Sequence, residues 1–179
     1  MACYCKKSTN IVNLPPIEET YRTYMGAGTI FTNGDLILCG YEPNKKIPAI
    51  YGIGGKKEKS DTTFYHTAFR ETFEELFGVG PSNDMIELIV SLNPPKKILK
   101  REDYIMILYD FEDLTNILKI ANNIKSPLYA KMPKTIEELL LKRNYKISTE
   151  MSHICILPVV LSPAISRNLS NDMKLIISL

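Results

Sequence analysis

The chain has 179 residues, 45% of them hydrophobic and 23% charged, which are the values of one globular domain long enough to bury a core. A net charge of +2 argues against a strongly basic nucleic-acid binder and against an acidic tail, and leaves room for a local basic patch. The longest apolar run, Ile154 to Ile165, is too short to span a bilayer and is interrupted by Pro158 and Pro163, so no membrane association is expected.

Residues 1–19 read as an irregular N-terminal arm, with Pro15-Pro16 among polar residues, and 20–179 as a single domain. The arm has no apolar leader, and the cysteines, at Cys3, Cys5, Cys39 and Cys155, are scattered; reduced thiols in a cytoplasmic or nuclear setting are expected. Tyr21 to Thr32 has the aromatic, β-branched and glycine mixture of a bulged strand. Asn33-Gly34 marks a hairpin turn, with Asp35 to Tyr41 returning, and Ile50 to Ile53 is a short strand. A helix follows from Thr62 or Thr63 to Phe77, N-capped by Asp61 or Thr62. Met85 to Leu92 reads as an apolar strand carrying Glu87, and Tyr104 to Phe111 as the clearest strand of the chain. Leu114 to Ile124 and Thr135 to Arg143 read as helices, making a helical elaboration around 113–147. A late strand, Ile154 to Leu161, precedes a last helix. This order predicts an α+β fold.

The chemistry concentrates in Gly54-Gly55-Lys56-Lys57-Glu58-Lys59-Ser60-Asp61 and in Arg70-Glu71-Thr72-Phe73-Glu74-Glu75. On a helix Glu71, Glu74 and Glu75 fall at about 0°, 300° and 40°, one narrow arc. Phe69, Phe73, Leu76 and Phe77 take the opposite arc and face a core. Like charges four residues apart destabilise a helix by roughly 0.2–0.5 kcal/mol per pair, so such a cluster calls for a compensating cation. Carboxylates are hard oxygen donors suited to magnesium, manganese or calcium. Against this stands the plainer possibility that the three glutamates are a solvated helix face.

These two segments resemble the signature of the Nudix hydrolases, G-x5-E-x7-R-E-U-x-E-E-x-G-U, where U is a bulky apolar residue. Gly55, Asp61, Arg70, Glu71, Glu74, Glu75, Gly78 and Val79 stand at its fixed positions. Asp61 replaces the first glutamate, and one extra residue separates it from Arg70. Thr72 replaces the bulky residue, and one extra residue precedes Gly78. Counted back from Arg70, the first-glutamate position falls on Thr62 instead. The resemblance implies an α/β/α sandwich with a mixed sheet, the box helix packed on it, and Mg2+ or Mn2+ as cofactor. It implies Glu71 and Glu75 as direct ligands, Glu74 shared or water-mediated, and the Gly55 backbone carbonyl as a further ligand. It also implies that Arg70 pairs with the loop acid, here Asp61 or Glu58. The implied reaction is hydrolysis of a pyrophosphate linkage in a nucleoside diphosphate joined to another group.

Outside the signature, Glu150 is the first candidate for an additional acid acting as base or ligand, followed by Glu102 and Asp103. Lys56 and Lys57 are candidates for meeting substrate phosphates. His66 lies off the acid arc and is expected to pack. Pro94 and Pro95 stand loosely where the ADP-ribose branch of the family has a proline. Beside them Lys96, Lys97, Lys100 and Arg101 form a basic run that would track a phosphate backbone. The expected partner is a nucleotide-type small molecule, of nucleotide-sugar or ADP-ribose type, or capped RNA, as in the decapping branch. The abundance of Ile, Lys and Asn suggests an AT-rich genome such as that of a large DNA virus, which would place the protein in host cytoplasm or nucleus. The alternative is a nucleotide- or RNA-binding module that keeps the fold without turnover.

Overall fold

A computed structural model describes Tyr21 and residues 23–178; the arm expected over 1–19, with Tyr4, Cys3 and Cys5, lies outside the described residues. The fold is α+β. Strand β1 (Gly26–Phe31) leads into a turn at Asn33-Gly34, where Gly34 takes a φ of 95° and Asn33 Oδ1 accepts from the N–H groups of Asp35 and Leu36. The turn is as expected, but the hairpin is not. After a bridge between Thr32 and Ile37, β1 and β2 (Leu36–Glu42) part into different sheets.

The first sheet runs β4 (Ile53–Lys56), β1, β6 (Tyr104–Tyr109), β5 (Lys97–Arg101). It is mixed: β1 and β6 are parallel, and the other pairs are antiparallel. The second sheet places β2 antiparallel between β3 (Ala49–Tyr51) and β7 (His153–Pro158). Alternation along β1 decides the layers. Ala27 and Phe31 join the core under helix α1 (Phe64–Phe77), whereas Ile30 joins a second core with Met106, Leu169, Met173 and Ile176. Leu169, Met173 and Ile176 belong to α5 (Arg167–Ile177), so helices cover both faces.

Helix α1 buries Phe69, Phe73, Leu76 and Phe77 almost completely. At ~1.5–3 kcal/mol for each large apolar side chain fully buried, this face fixes the rotation of the helix and hence where its acids point. Its N-cap is Thr63, not Asp61 or Thr62: the Thr63 hydroxyl accepts from His66 N–H, which frees Asp61 for other work. The helix stops at Gly78, whose φ of 71° lets its N–H reach the Glu74 carbonyl. The extra residue before this glycine lengthens the helix by one position.

The segment expected as a strand over Met85 to Leu92 is helix α2 (Asn83–Leu92), with Ser82 as N-cap accepting from Met85 N–H. Ile86, Ile89 and Val90 are buried at helical spacing while Leu88 and Leu92 are exposed, so helical period governs what looked like a continuous apolar run. The expected helices over Leu114 to Ile124 and Thr135 to Arg143 are α3 (Phe111–Ile120), continued by a short 3₁₀ turn over Ala121–Asn123, and α4 (Ile136–Leu141). Asp110 and Asp113 form a reciprocal capping box that starts α3 earlier than the apolar pattern suggested. The late strand ends at Pro158 rather than Leu161. No helix among the described residues is long and apolar enough to cross a membrane.

Candidate functional site

Strand β4 brings Gly54 and Gly55 against the acid face of α1. The Gly54 N–H donates to Glu75 Oε2 at 3.1 Å. Gly54 has a φ of 142°, a conformation that only glycine adopts readily. A Cβ on Gly55 would lie 2.4 Å from the Glu71 carboxyl carbon, so the missing side chain is the space the carboxylate fills. Glycine loop and helix acids are therefore one unit.

The three glutamates differ in burial. Glu75 is 6% exposed, Glu71 is half-buried, and the Glu74 side chain is 45% exposed. Burial pushes the Glu75 carboxyl well above the ordinary carboxylate range, and the nearby charges of Glu42 and Glu71 push the same way. Burial also raises Glu71, against the pull of the Arg70 guanidinium.

Arg70 organises the loop. Its Nε donates to Asp61 Oδ1 at 3.2 Å, and Nη2 reaches Asp61 Oδ2 at 3.1 Å and the Lys56 carbonyl at 2.7 Å. Its Nη1 lies 3.0 Å from both Glu71 Oε1 and Glu74 Oε2. Glu58 is 3.8 Å away and mostly exposed, so Asp61 is the principal loop partner. Thr62 turns instead to His66 Nδ1, with Thr63, and burial lowers the His66 pKa. Although burial opposes it, Asp61 is held below the usual carboxylate range by Arg70, by Glu58 N–H and by the Thr67 hydroxyl. Thr72, at the position of the bulky residue, bonds Thr29 Oγ1 of β1 at 2.8 Å and ties the helix to the sheet.

Two residues that the sequence did not single out complete this end of the molecule. Arg143 is buried and donates to the carbonyls of Glu75, Leu76 and Met151, satisfying α1 where its last turn has no intrahelical partners. Glu42, at the end of β2, is 3% exposed. Its Oε2 makes no hydrogen bond, although Lys45 Nζ stands 3.0 Å away as an ion-pair partner without hydrogen-bond geometry. Desolvation raises the Glu42 pKa against that Lys45 charge. Lys45 also bonds Glu150, which is 62% exposed and held below the ordinary carboxylate range by this contact. The charge of Glu150 acts on Glu42, Glu71 and Glu75, so the acid expected outside the signature stands at the edge of the cluster while Glu42 stands inside it.

A cavity of about 470 Å³ is lined by residues of β1, β2, β4, β6, the β5–β6 turn and α5. Glu42, Lys45, Gly54, Gly55 and Lys56 line one end; Arg101, Tyr104, Asn168 and Asp172 line another part of its wall. Glu102 and Asp103, in the β5–β6 turn, are on its rim. The Gly55 carbonyl lies beside Gly26 of β1. Lys57 is not in the cavity; its Nζ sits 4.3 Å from the centre of the Tyr24 ring. The basic run divides: Lys96 pairs with Asp110 and Asp113, while Arg101 turns into the cavity. Tyr51 lines the cavity, whereas Tyr24 and Tyr129 belong to the main core.

The donor set suits a hard divalent cation: carboxylate oxygens of Glu71, Glu75 and Glu42, one of them without a hydrogen bond, raised by burial and mutual repulsion that a cation would relieve. As they stand, no three acid, histidine or cysteine side chains among the described residues are grouped to hold an ion. Arg70 holds Glu71 and Glu74 in this arrangement, and an ion would compete with it for them.

No family model matches the chain, and no curated protein matches it in sequence. Among solved structures it is similar to a bifunctional NMN adenylyltransferase/ADP-ribose pyrophosphatase from Francisella tularensis, at 11% identity and a TM-score of 0.46, over 92% of this chain and 42% of that one. A structure of such a Francisella tularensis enzyme complexed with AMP and a manganese ion gives 11% identity and a TM-score of 0.47, over 92% and 43% of the two chains. A NUDIX-family hydrolase from Clostridium perfringens gives 12% identity and a TM-score of 0.38, over 88% and 97%. The chain spans less than half the length of the two Francisella proteins.

Proposed function

We propose that the chain is a Nudix-type, metal-dependent hydrolase that splits a pyrophosphate linkage in a nucleoside diphosphate joined to another group. One observation carries the reading: the two halves of the signature meet, with Gly54 N–H on Glu75 and the Glu71 carboxylate filling the space beside Gly55. Magnesium or manganese, when bound, neutralises phosphate charge and makes a water nucleophilic. Glu71 and Glu75 would hold it, with Glu42 as the carboxylate from outside the signature and Glu74 and the Gly55 carbonyl as the remaining oxygens. Arg70 orients Glu71 through its own anchor on Asp61, and Lys56 at the cavity wall meets phosphate. The leaving nucleoside portion occupies the cavity beyond Gly54 and Gly55. Nucleotide sugars, ADP-ribose-type compounds and an RNA cap all carry the linkage this site would cut, and a cytoplasmic location would supply them.

The second reading, a binding module without turnover, is favoured by the hold of Arg70 on Glu71 and Glu74. Phosphate release from a panel of nucleoside diphosphate compounds and capped RNA, with magnesium and with chelator, separates the two. Glu75→Gln should lower turnover by about 10²–10³ with the fold intact, and Glu87→Gln, on α2, should leave it unchanged. Nucleotide binding without hydrolysis in wild type establishes the second reading.

A further inference from the structure

The wall of the cavity formed by Arg101, Tyr104 and Asp172 is more elaborate than phosphate binding needs. Arg101 Nη1 donates to Asp172 Oδ1 at 3.1 Å and lies 3.5 Å from the Asn168 carbonyl. Asp172 is buried, on the inward face of α5, yet its Oδ2 is engaged by no donor among the described residues. Gly52 faces that oxygen: a Cβ there would lie 3.8 Å from Oδ2, so the absent side chain keeps the approach to it open. Beside it, Tyr104 lies along β1. Its Cε2 would be 2.8 Å from a Cβ on Gly26 and its hydroxyl 2.8 Å from one on Gly28, so these side-chain-free positions make room for the ring as a floor.

Resting on the reading of this cavity as a nucleotide site, we infer that Asp172 and Arg101 select the base, and that the base is guanine. A carboxylate oxygen that no protein donor engages, on a side chain otherwise buried, favours a ligand that brings N–H groups. Guanine presents a carbonyl acceptor followed by two neighbouring N–H donors along one edge. The carbonyl would meet the Arg101 guanidinium, the N1–H and the exocyclic amine would meet Asp172, and the ring face would rest on Tyr104. In the same placement adenine sets an amine against the guanidinium and a ring-nitrogen lone pair against the carboxylate, two like-sign contacts. Discrimination therefore comes from repulsion of adenine as well as attraction of guanine.

The test is equilibrium binding of GDP and ADP to the full chain with magnesium present, which needs no turnover. Wild type should prefer GDP by about tenfold or more, the range of one good paired base contact. Asp172→Asn should abolish the preference by weakening GDP alone, with its melting curve as the check on folding. Because loss of the Arg101 partner bears on the fold, Gly52→Val gives an independent arm. It fills the approach to Oδ2, leaves the ion pair in place, and should also weaken GDP. Equal affinity for GDP and ADP in wild type, an undiminished preference in both variants, or no GDP binding at all overturns the inference. Hydrolysis of ADP-sugars as fast as GDP-sugars would refute it while leaving the proposed reaction standing. GDP binding without hydrolysis would do the reverse. A GDP-sugar and a guanosine-capped RNA, run in parallel, tell which compound delivers the base, and cleavage of either supports the assignment.

Discussion

Gly55 and Glu71 share one volume: the glutamate carboxylate lies where the Cβ of any other residue would project from the glycine, 2.4 Å from its carboxyl carbon. Gly55→Ala should therefore displace the carboxylate rather than the backbone, since the obstructing atoms end a side chain that can swing. The fold should lose no more than the roughly 1–3 kcal/mol typical of overpacking. Magnesium-dependent turnover should drop far more, by about 10²-fold, the usual effect of shifting a catalytic group by an ångström. Turnover and melting temperature of the variant check this, and normal turnover would detach Glu71 from the reaction.

The loop pairing makes a second prediction. Asp61 is buried and takes donors from Arg70, Thr67 and Glu58 N–H, whereas the Glu58 carboxylate is 3.8 Å from Arg70 and exposed. Removing one partner of a buried ion pair costs on the order of 3 kcal/mol; Arg70 would keep Glu71 and Glu74, but its Nε, Glu58 N–H and the Thr67 hydroxyl would all lose their acceptor. Asp61→Ala should approach that value, and Glu58→Ala should stay within about 0.5 kcal/mol of wild type. Denaturant unfolding of both variants decides, and a larger loss in Glu58→Ala would reverse the assignment.

The α1 face was legible because Phe69, Phe73, Leu76 and Phe77 repeat at helical spacing opposite the acids, and one side of a helix cannot be buried without fixing the other. The register of Asp61 was less legible, because an inserted residue between it and Arg70 allowed two countings. What decides it is the Thr63 N-cap, a hydrogen bond that spacing alone does not reveal. Met85 to Leu92 misled because isoleucine, leucine and valine follow one another closely, and a short apolar run suits a buried strand or a helix equally. The exposure of Leu88 and Leu92 separates the two, and that depends on what α2 packs against. Glu42 and Asp172 left no trace in the sequence. Each is a single acid in a distant element, brought to the cavity by β2 crossing into the second sheet and by α5 covering the open face.

Asp172 gives the pH dependence. Burial raises its pKa from 3.8 to about 6, with Arg101 pulling the other way. The folded state then binds a proton more readily than the unfolded state, so Asp172 weakens the fold above about pH 6 and its penalty disappears as pH falls toward its unfolded value. Between pH 7 and pH 4 wild type should gain on the order of 2–3 kcal/mol relative to Asp172→Asn, which has no proton to bind there. Unfolding free energies of the two proteins at both pH values measure the difference. A constant gap would mean that the side chain is solvated in the folded protein.

The last prediction weighs Glu42 against Glu150. Glu150 precedes β7, where an acid outside the signature was expected, but it is 62% exposed and tied to Lys45. Glu42 is 3% exposed, adds its charge to the field on Glu75, and has an oxygen with no hydrogen bond. Lys45 Nζ, 3.0 Å away, is the one cation opposite this buried carboxylate among the described residues and is shared with Glu150, so burial still penalises its charge and a divalent ion would relieve it. Glu42→Gln keeps the shape and should leave the metal-free protein as stable as wild type or more so. The rise in melting temperature on adding magnesium should shrink, since a ligand that binds only the folded state at a hundredfold excess over Kd contributes about 2.7 kcal/mol. Turnover should fall by about 10²-fold or more, the scale of losing one electrostatic stabiliser. Glu150→Gln should keep most of both the magnesium shift and the turnover, because an exposed ion pair contributes only ~0–1 kcal/mol. If Glu150→Gln is the more damaging of the two, the extra acid is the exposed one, and the buried position of Glu42 serves the fold alone.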